Sequence, residues 1–383
     1  MTSKLEDLIA ELCPNGVEYK VLGELCNICT GKLNANAKDE DGIYPFFTCD
    51  ANPYKINEYA FDTSAILISG NGSQVGHLNQ YEGKFNAYQR TYVLDNFKLV
   101  IKPFLFHFMD AYLKPYIMVN CKKGSVPYIT LPMLQSFNVP VPPLEVQREI
   151  VRILDSFTLL TAELTAELTA RKKQYEYYRD TLLTFNDNNP LHSLIQRYCP
   201  NGVEYKKIGE ICNISVGGDV PKNSMSKQKT EKYSVPIISN GIGENALYGY
   251  TDVPKVKEPG VTVAARGTIG YAEYRDYPFY PIIRLLTAIP KDATAVNTKY
   301  LYYCLQGKQY SSPMGGIPQL TAPELEKVSI PVPPLEVQLQ IVQILDRFDA
   351  LCNDLTQGLP AEIEARRKQY EYYRDQLLTF KRA

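Results

Sequence analysis

The chain carries only three histidines, His77, His107 and His192, and a net charge of −1. With so few imidazoles, no Ser–His–Asp arrangement presents itself. No Gly-x-x-x-x-Gly-Lys-Ser/Thr loop occurs, which argues against motor activity in this chain. No Gly-rich cofactor loop follows a strong strand, so a self-sufficient methyltransferase has neither cofactor nor catalytic motif here. No run approaches the roughly 18 apolar residues of a membrane span. Met1–Cys13 lacks the apolar core of a signal peptide, and a cytoplasmic location with no membrane partner is expected. The nine cysteines are then expected to be reduced and buried, because disulfides are rare in that compartment. Near-zero net charge is unusual for a nucleic-acid binder, but phosphate contact needs a local basic face rather than a basic total.

What the chain has is repetition. CPNGVEYK at Cys13–Lys20 returns at Cys199–Lys206, and VPPLEVQ at Val141–Gln147 returns at Val332–Gln338. RKKQYEYYRDTLLTF at Arg171–Phe185 returns as RRKQYEYYRDQLLTF at Arg366–Phe380. About half the chain separates the copies, and the segments between these blocks barely resemble each other. With 45% hydrophobic and 22% charged residues the composition is that of a globular protein too long for one core. Four segments are expected: a head with its N-terminal helix (1–143), a spacer helix (144–186), a second head with its lead-in helix (187–334) and a second spacer (335–383).

Each head reads as a mixed α/β globule, with short β-rich runs such as Ala65–Ser69 and Val261–Ala265 broken by Gly, Asn and Pro. Pro142-Pro143 and Pro333-Pro334 then fix the chain just ahead of a long helix, where proline is tolerated. In the first spacer Ile150, Leu154, Phe157, Thr161, Leu164, Leu168, Arg171, Tyr175, Tyr178, Leu182 and Phe185 alternate in steps of four and three, a coiled-coil seam. The second spacer repeats it through Ile341, Leu345, Phe348, Cys352, Leu355 and Leu359, then Ile363, Arg366, Tyr370, Tyr373, Leu377 and Phe380. Two successive four-residue steps meet at Leu359, beside Gly358 and Pro360, which predicts a kink or break there. The fold expected is α/β (α+β): two heads separated by two long antiparallel coiled-coil helices. A structural protein's coiled coil fits the seam spacing as well.

Thr161–Leu168 reads TAELTAEL, two four-residue units of strong helix formers. Each unit adds about 6 Å and overshoots one turn by roughly 40°. One B-DNA base-pair step turns about 34–36°. A low-complexity expansion without function is the plain alternative.

Together, two dissimilar heads, TAEL units and the closing DLTQGLPAEIEARRKQYEYYRDQLLTF (Asp354–Phe380) resemble the specificity subunit of a type I restriction–modification system, over the whole chain. Ile150–Asp155 and Ile341–Asp346, each Ile-Val-x-Ile-Leu-Asp, are similar to that family's helix start. The resemblance implies two target-recognition domains, each reading half of a split double-stranded DNA sequence, with the helices setting the gap. It implies two methyltransferase (M) subunits docked on the helices, and restriction (R) subunits in the larger complex. S-adenosylmethionine, ATP and Mg are then expected on those partners, with no cofactor, metal or catalytic residue in this chain. The rival is a scaffold with two heads for two protein ligands.

Gly70–Gly76 and Arg266–Gly270 resemble the family's Gly-x-x-Gly turn after a central strand, the first being longer. Gly124–Thr130 and Gly315–Thr321 form a second shared loop. Asn and Gln pair bidentately with adenine, and Arg with guanine. The candidates for base readout are therefore Asn71, Gln74, His77, Gln89 and Arg90 in the first head, and Asn240, Arg266, Arg284 and Gln319 in the second. Lys122, Lys123, Lys222, Lys227 and Lys229 are the candidates for phosphate contact. Tyr128 is expected to pack. Leu154, Phe157, Leu164, Leu168, Tyr175, Tyr178, Leu345, Phe348, Tyr370 and Tyr373 are assigned to the seam, leaving Arg171, Lys172 and Arg179 on a rim for partners.

Two other signals are set aside. Asn52-Pro53-Tyr54 lacks one proline of the Asn-Pro-Pro-Tyr motif and reads as a turn. Cys26-x-x-Cys29 has zinc spacing but no second pair, so buried thiols are expected.

Overall fold

The computed structural model of the protein describes residues 3–121, 127–308, 310, 319–354 and 356–383. The chain forms two compact units, Met1–Ala166 with Glu362–Ala383, and Glu167–Ala361. Each unit therefore takes its head from one copy of the repeat and adds the spacer tail of the other.

In the first unit a six-stranded sheet runs in the order Asn27–Thr30, Thr91–Asp95, Phe61–Ser69, Leu78–Ala87, Tyr44–Phe47, Tyr54–Ile56. Only Tyr44–Phe47 beside Leu78–Ala87 is parallel. The run Ala65–Ile68 is buried throughout. Successive side chains on a strand point to opposite faces. Accordingly Ile66 and Ile68 pack with Phe104, Met109 and Leu113 of the helix Lys102–Asn120, while Ala65 and Leu67 meet Phe47, Phe85 and Val93.

The second unit has two four-stranded sheets. One runs Cys212–Val216, Leu286–Pro290, Gly260–Val263, Ala272–Arg275. The other runs Met225–Ser226, Leu247–Thr251, Val235–Ile238, Tyr280–Pro281. The helix Thr298–Leu305 packs Tyr300, Leu301 and Leu305 into a core with Val261 and Val263.

The first spacer is one helix, Leu144–Leu182. None of its seam positions from Ile150 to Phe185 is exposed. The second spacer is two helices, Leu335–Asn353 and Leu359–Leu377, so the break expected beside Gly358 is present. Asp354 shapes it by accepting from Thr356 N–H (2.7 Å) and Gln357 N–H (3.2 Å). A Cβ on Gly358 would sit 2.6–2.9 Å from the carbonyl oxygens of Ala350, Asp354 and Leu351, which explains the glycine. Leu355 lies outside the described residues.

Within each unit the spacer segments pair antiparallel across copies. Phe157 stacks on Tyr373 at 5.5 Å in the first unit, and Tyr178 on Phe348 at 5.2 Å in the second.

The repeated VPPLEVQ block has a specific job. Gln147 is fully buried. Its Oε1 accepts from Ile101 N–H (2.9 Å), and its Nε2 donates to Leu99 O (2.8 Å) and Pro142 O (2.7 Å). Gln338 repeats this with Asn297 N–H (2.8 Å), Ala295 O (2.8 Å) and Pro333 O (2.7 Å). Each glutamine thus ties the start of its spacer to the residues that lead into its head's helix, up to the N-cap Ile101 or Asn297. The Asp that closes Ile-Val-x-Ile-Leu-Asp adds a second tie. Asp155 receives His107 Nε2 (2.8 Å), and Asp346 receives Tyr303 Oη (2.6 Å) and Lys299 Nζ (2.8 Å).

Candidate nucleic-acid interface

In the first head, strand Phe61–Ser69 delivers the chain to Gly70, where three loops converge. Gly70 N–H donates to Arg90 O (2.9 Å), and Gly70 O accepts from Ile129 N–H (2.8 Å). A Cβ at position 70 would lie 2.2 Å from Arg90 O, so the approach requires glycine. Gly76 N–H closes the loop onto Ser69 O (2.8 Å), with Gly76 at φ +80°.

Asn71 forms a β-bridge with Tyr128, and its Oδ1 accepts from Cys49 Sγ (3.1 Å). Gln74, Gln89 and Arg90 are exposed, and Gln89 Nε2 donates to Asn34 Oδ1 (3.1 Å). His77 is half-buried, its Nε2 lying 3.2 Å from Ala51 O in an exposed contact. Lys122 and Lys123 lie outside the described residues. Asn71, Arg90 and Tyr128 therefore share one rim. Tyr128, expected to pack, is 39% exposed there.

The second head repeats the geometry with other side chains. Ala265 O accepts from Leu320 N–H (2.9 Å), as Gly70 O does from Ile129, and Gly270 N–H closes onto Ala264 O (2.9 Å). Position 266 thereby corresponds to 71, and 319 to 128. The parallel bridge Gly218–Ile282 matches Leu33–Tyr88, which aligns Ile283-Arg284 with Gln89-Arg90. Arg266 Nε and its terminal nitrogen hold Gln319 Oε1 at 3.0 and 2.7 Å. Among the described residues no carboxylate lies within 4 Å of the Arg90 or Arg284 guanidinium nitrogens. An unpaired exposed guanidinium keeps its donor fork free for a phosphate or a guanine edge.

Asn240 occupies the position of Cys49 and is turned to the backbone. Its Nδ2 donates to Ile283 O (2.6 Å), its Oδ1 accepts from Ala265 N–H (2.8 Å), and its own carbonyl accepts from Thr268 Oγ1 (2.7 Å). The residue couples two loops, and its amide is already engaged at both ends. Lys222 lies on the stretch 219–224, which borders a shallow groove of about 690 Å³. Lys227 sits 3.7 Å above the Tyr248 ring and donates to Tyr248 O (3.0 Å). Lys229 is exposed, and among the described residues no contact joins Lys227 or Lys229 to the rim.

Cys26 is buried and desolvation pushes its thiol up to about 12, a poor ligand or nucleophile at neutral pH. Contrary to the expectation of buried thiols, Cys29 is exposed, lying on the edge strand Asn27–Thr30, and Cys49, Cys121 and Cys199 are only half-buried. Among the described residues no group of three or more His, Cys, Asp or Glu is placed to hold a metal.

Reading by sequence alone passed over Ile283. It is 45% exposed beside Arg284, and both adopt left-handed backbone, φ +54° and +60°. No signal marked it, since left-handed turns are usually announced by Asn or Gly.

Two α/β heads with equivalently built but differently furnished rims, joined through coiled-coil helices, define a tandem recognition protein. Residues 14–171 and 200–365 each match the type I restriction modification DNA specificity domain. The chain belongs to the type I restriction–modification specificity subunits, and its role is the non-catalytic one of that family.

It is 32% identical over 368 residues to a type I specificity subunit of Mycoplasma pneumoniae, covering 94% of this chain and 96% of that one. A type I restriction enzyme specificity subunit of Haemophilus influenzae is 32% identical over 387 residues, covering 95% and 96%. The EcoR124I/EcoR124II specificity subunit of Escherichia coli is 36% identical over 267 residues, covering 63% and 61%. The fold is that of the type I S subunit from M. genitalium, at TM-score 0.61 and 14% identity over 95% of this chain and 97% of that one. No helix among the described residues is long and apolar enough to cross a membrane.

Proposed function

We propose that each head of this specificity subunit reads one half of a split, asymmetric double-stranded DNA target, while the paired spacers set the unspecified gap. Arg90 and Arg284, at corresponding rim positions, are the principal base-reading or phosphate-gripping groups. Asn71, Gln74 and Gln89 add to the first rim, and Arg266 with Gln319 to the second. Asn240 and His77 act as positioning residues. Lys122, Lys123, Lys222, Lys227 and Lys229 supply phosphate contact. The observation that carries this reading is the pair of rims. The loop hydrogen bonds and bridges are shared, the arginine is shared, and the flanking side chains and the backbone of the arginine's turn differ, left-handed at Ile283 and Arg284 but not at Gln89 and Arg90, as two unlike half-sites demand.

Two methyltransferase subunits dock along the spacers and, with restriction subunits, hold the S-adenosylmethionine, ATP and Mg that the chemistry requires. This chain directs their adenine methylation and cleavage. With a net charge of −1, it leaves part of the phosphate grip to those partners. Co-expression with the adjacent methyltransferase followed by methylome sequencing tests the reading. Methylated adenine within a split asymmetric motif is expected. A continuous motif, or unchanged methylation, would overturn it.

A further inference from the structure

The turn Ile282–Leu285 is the most strained element of the second rim. Leu285 N–H bonds Ile282 O (3.1 Å), with both central residues left-handed, which is the geometry of a type I′ turn. Asn-Gly normally fills those positions, because a β-branched side chain fits left-handed backbone poorly. Ile283 nonetheless stands there, and it is not buried in return: the side chain is 45% exposed. The turn is held firmly from behind. Ile283 N–H donates to Gly218 O (2.9 Å), Arg284 N–H to Gly217 O (3.1 Å), and Asn240 Nδ2 to Ile283 O (2.6 Å). Ile283 and Arg284 border a groove of about 480 Å³ together with Gly217, Asp219 and Arg266. A strained, braced turn that exposes a branched aliphatic side chain beside an unpaired arginine is built for contact rather than for stability.

We infer that Ile283 is a specificity-determining residue of the second head, packing its aliphatic side chain on the 5-methyl group of a thymine in the second half-target, while Arg284 beside it takes a neighbouring guanine edge or phosphate. Apolar contact with the thymine methyl is one of the ways the major groove is read, and that methyl is what distinguishes thymine from uracil there. The first head has Gln89 at the corresponding position, a group suited to adenine instead. The two heads thus differ at this turn in both side chain and backbone, since Gln89 and Arg90 are not left-handed.

The inference rests on the split-target reading, and the two can fail separately. Once the methylated motif is known, the complex of this chain with its methyltransferase is titrated against duplexes in which each thymine of the second half is replaced in turn by deoxyuridine. At one position the wild-type complex should lose about fourfold in affinity, the worth of one buried methyl group. Ile283→Gly should bind the thymine and uracil duplexes equally, and thymine substitutions in the first half should affect both proteins alike. This variant relieves the left-handed strain, so its thermal midpoint should be at least that of the wild type.

A split motif whose second half is indifferent to every thymine methyl, or contains no thymine, overturns the role of Ile283 and leaves the split-target reading intact. Continued sensing of the methyl by Ile283→Gly overturns that role equally. Absence of any split motif removes the reading itself, and this inference with it.

Discussion

Replacing Gln147 by leucine tests the tie between spacer and head. The side chain is fully buried and makes three hydrogen bonds, one accepted from Ile101 N–H and two donated to Leu99 O and Pro142 O. Leucine is of similar bulk although it forks one carbon earlier, so little cavity opens. It does strand one backbone donor and two acceptors away from water. A buried donor left without a partner costs roughly 1–3 kcal/mol, and the acceptors add less because each has a second lone pair. The expected loss is about 3–5 kcal/mol, against a whole-domain stability of roughly 5–15 kcal/mol. The chain has no tryptophan, so urea unfolding is best followed by circular dichroism, to which the spacer helices contribute heavily. Hydrogen exchange then locates the damage. The Ile101 amide and the first turn of Lys102–Asn120 should lose protection in Gln147→Leu, and the Asn297 amide in Gln338→Leu. A shift below about 1 kcal/mol with the denaturant slope unchanged, or unaltered exchange at Ile101, would refute the reasoning.

Inserting one further TAEL unit after Leu168 should lengthen the gap of the methylated motif and leave both half-sequences as they were; a changed half-sequence sinks the spacer account. Gly70→Ala drives a Cβ to within 2.2 Å of Arg90 O, and should relax the first half-sequence in methylome data while the second is retained. If both halves survive, the three-loop junction does not position Arg90. Glu149 is buried, and hydrogen bonds from Arg152 first and Lys4 second hold its carboxyl down to about 2. A carboxylate lowered on folding stabilises above its unfolded value, near 4.5, and that contribution disappears as pH falls toward 2. The stability difference between wild type and Glu149→Gln, measured by urea unfolding, should therefore shrink between pH 5 and 2; a difference independent of pH across that interval contradicts the pairing.

The spacers were legible in the sequence because a coiled-coil seam is a property of spacing alone. The residues from Ile150 to Phe185 declare their face without reference to anything distant, and Gly358 with Pro360 declares the break. The strand containing Ala65–Ser69 was legible for a similar reason, being a short apolar run closed by glycine. The rims were not. Arg90 and Arg284 correspond only through the bridges Leu33–Tyr88 and Gly218–Ile282, pairings of backbone that leave no mark in side-chain identity. Asn240 looked like a base reader because its chemistry suits adenine. Its engagement with Ile283 O and Ala265 N–H depends on loops far apart in sequence. The repeated glutamine was visible as part of VPPLEVQ, but its partners at Leu99, Ile101, Ala295 and Asn297 are main-chain groups that any sequence supplies.

The cross-copy pairing gives a physical reason why the spacer blocks are near-identical while the heads diverge. Phe157 of the first copy meets Tyr373 of the second, and Phe348 of the second meets Tyr178 of the first. The same aromatic pair is thus built twice, each time from opposite copies. A change of size at Phe157 has to be accommodated by Tyr373, whereas Tyr178, in its own copy, does not feel it. Within a close-packed seam a single altered ring leaves a void or a clash costing roughly 1–3 kcal/mol. Each block is constrained by its partner in the other copy, and identical blocks satisfy both stacks at once. The rims carry no such constraint. Asn71 and Arg266, or Gln89 and Ile283, never face one another within a unit, so each is free to suit whatever sequence its own head reads.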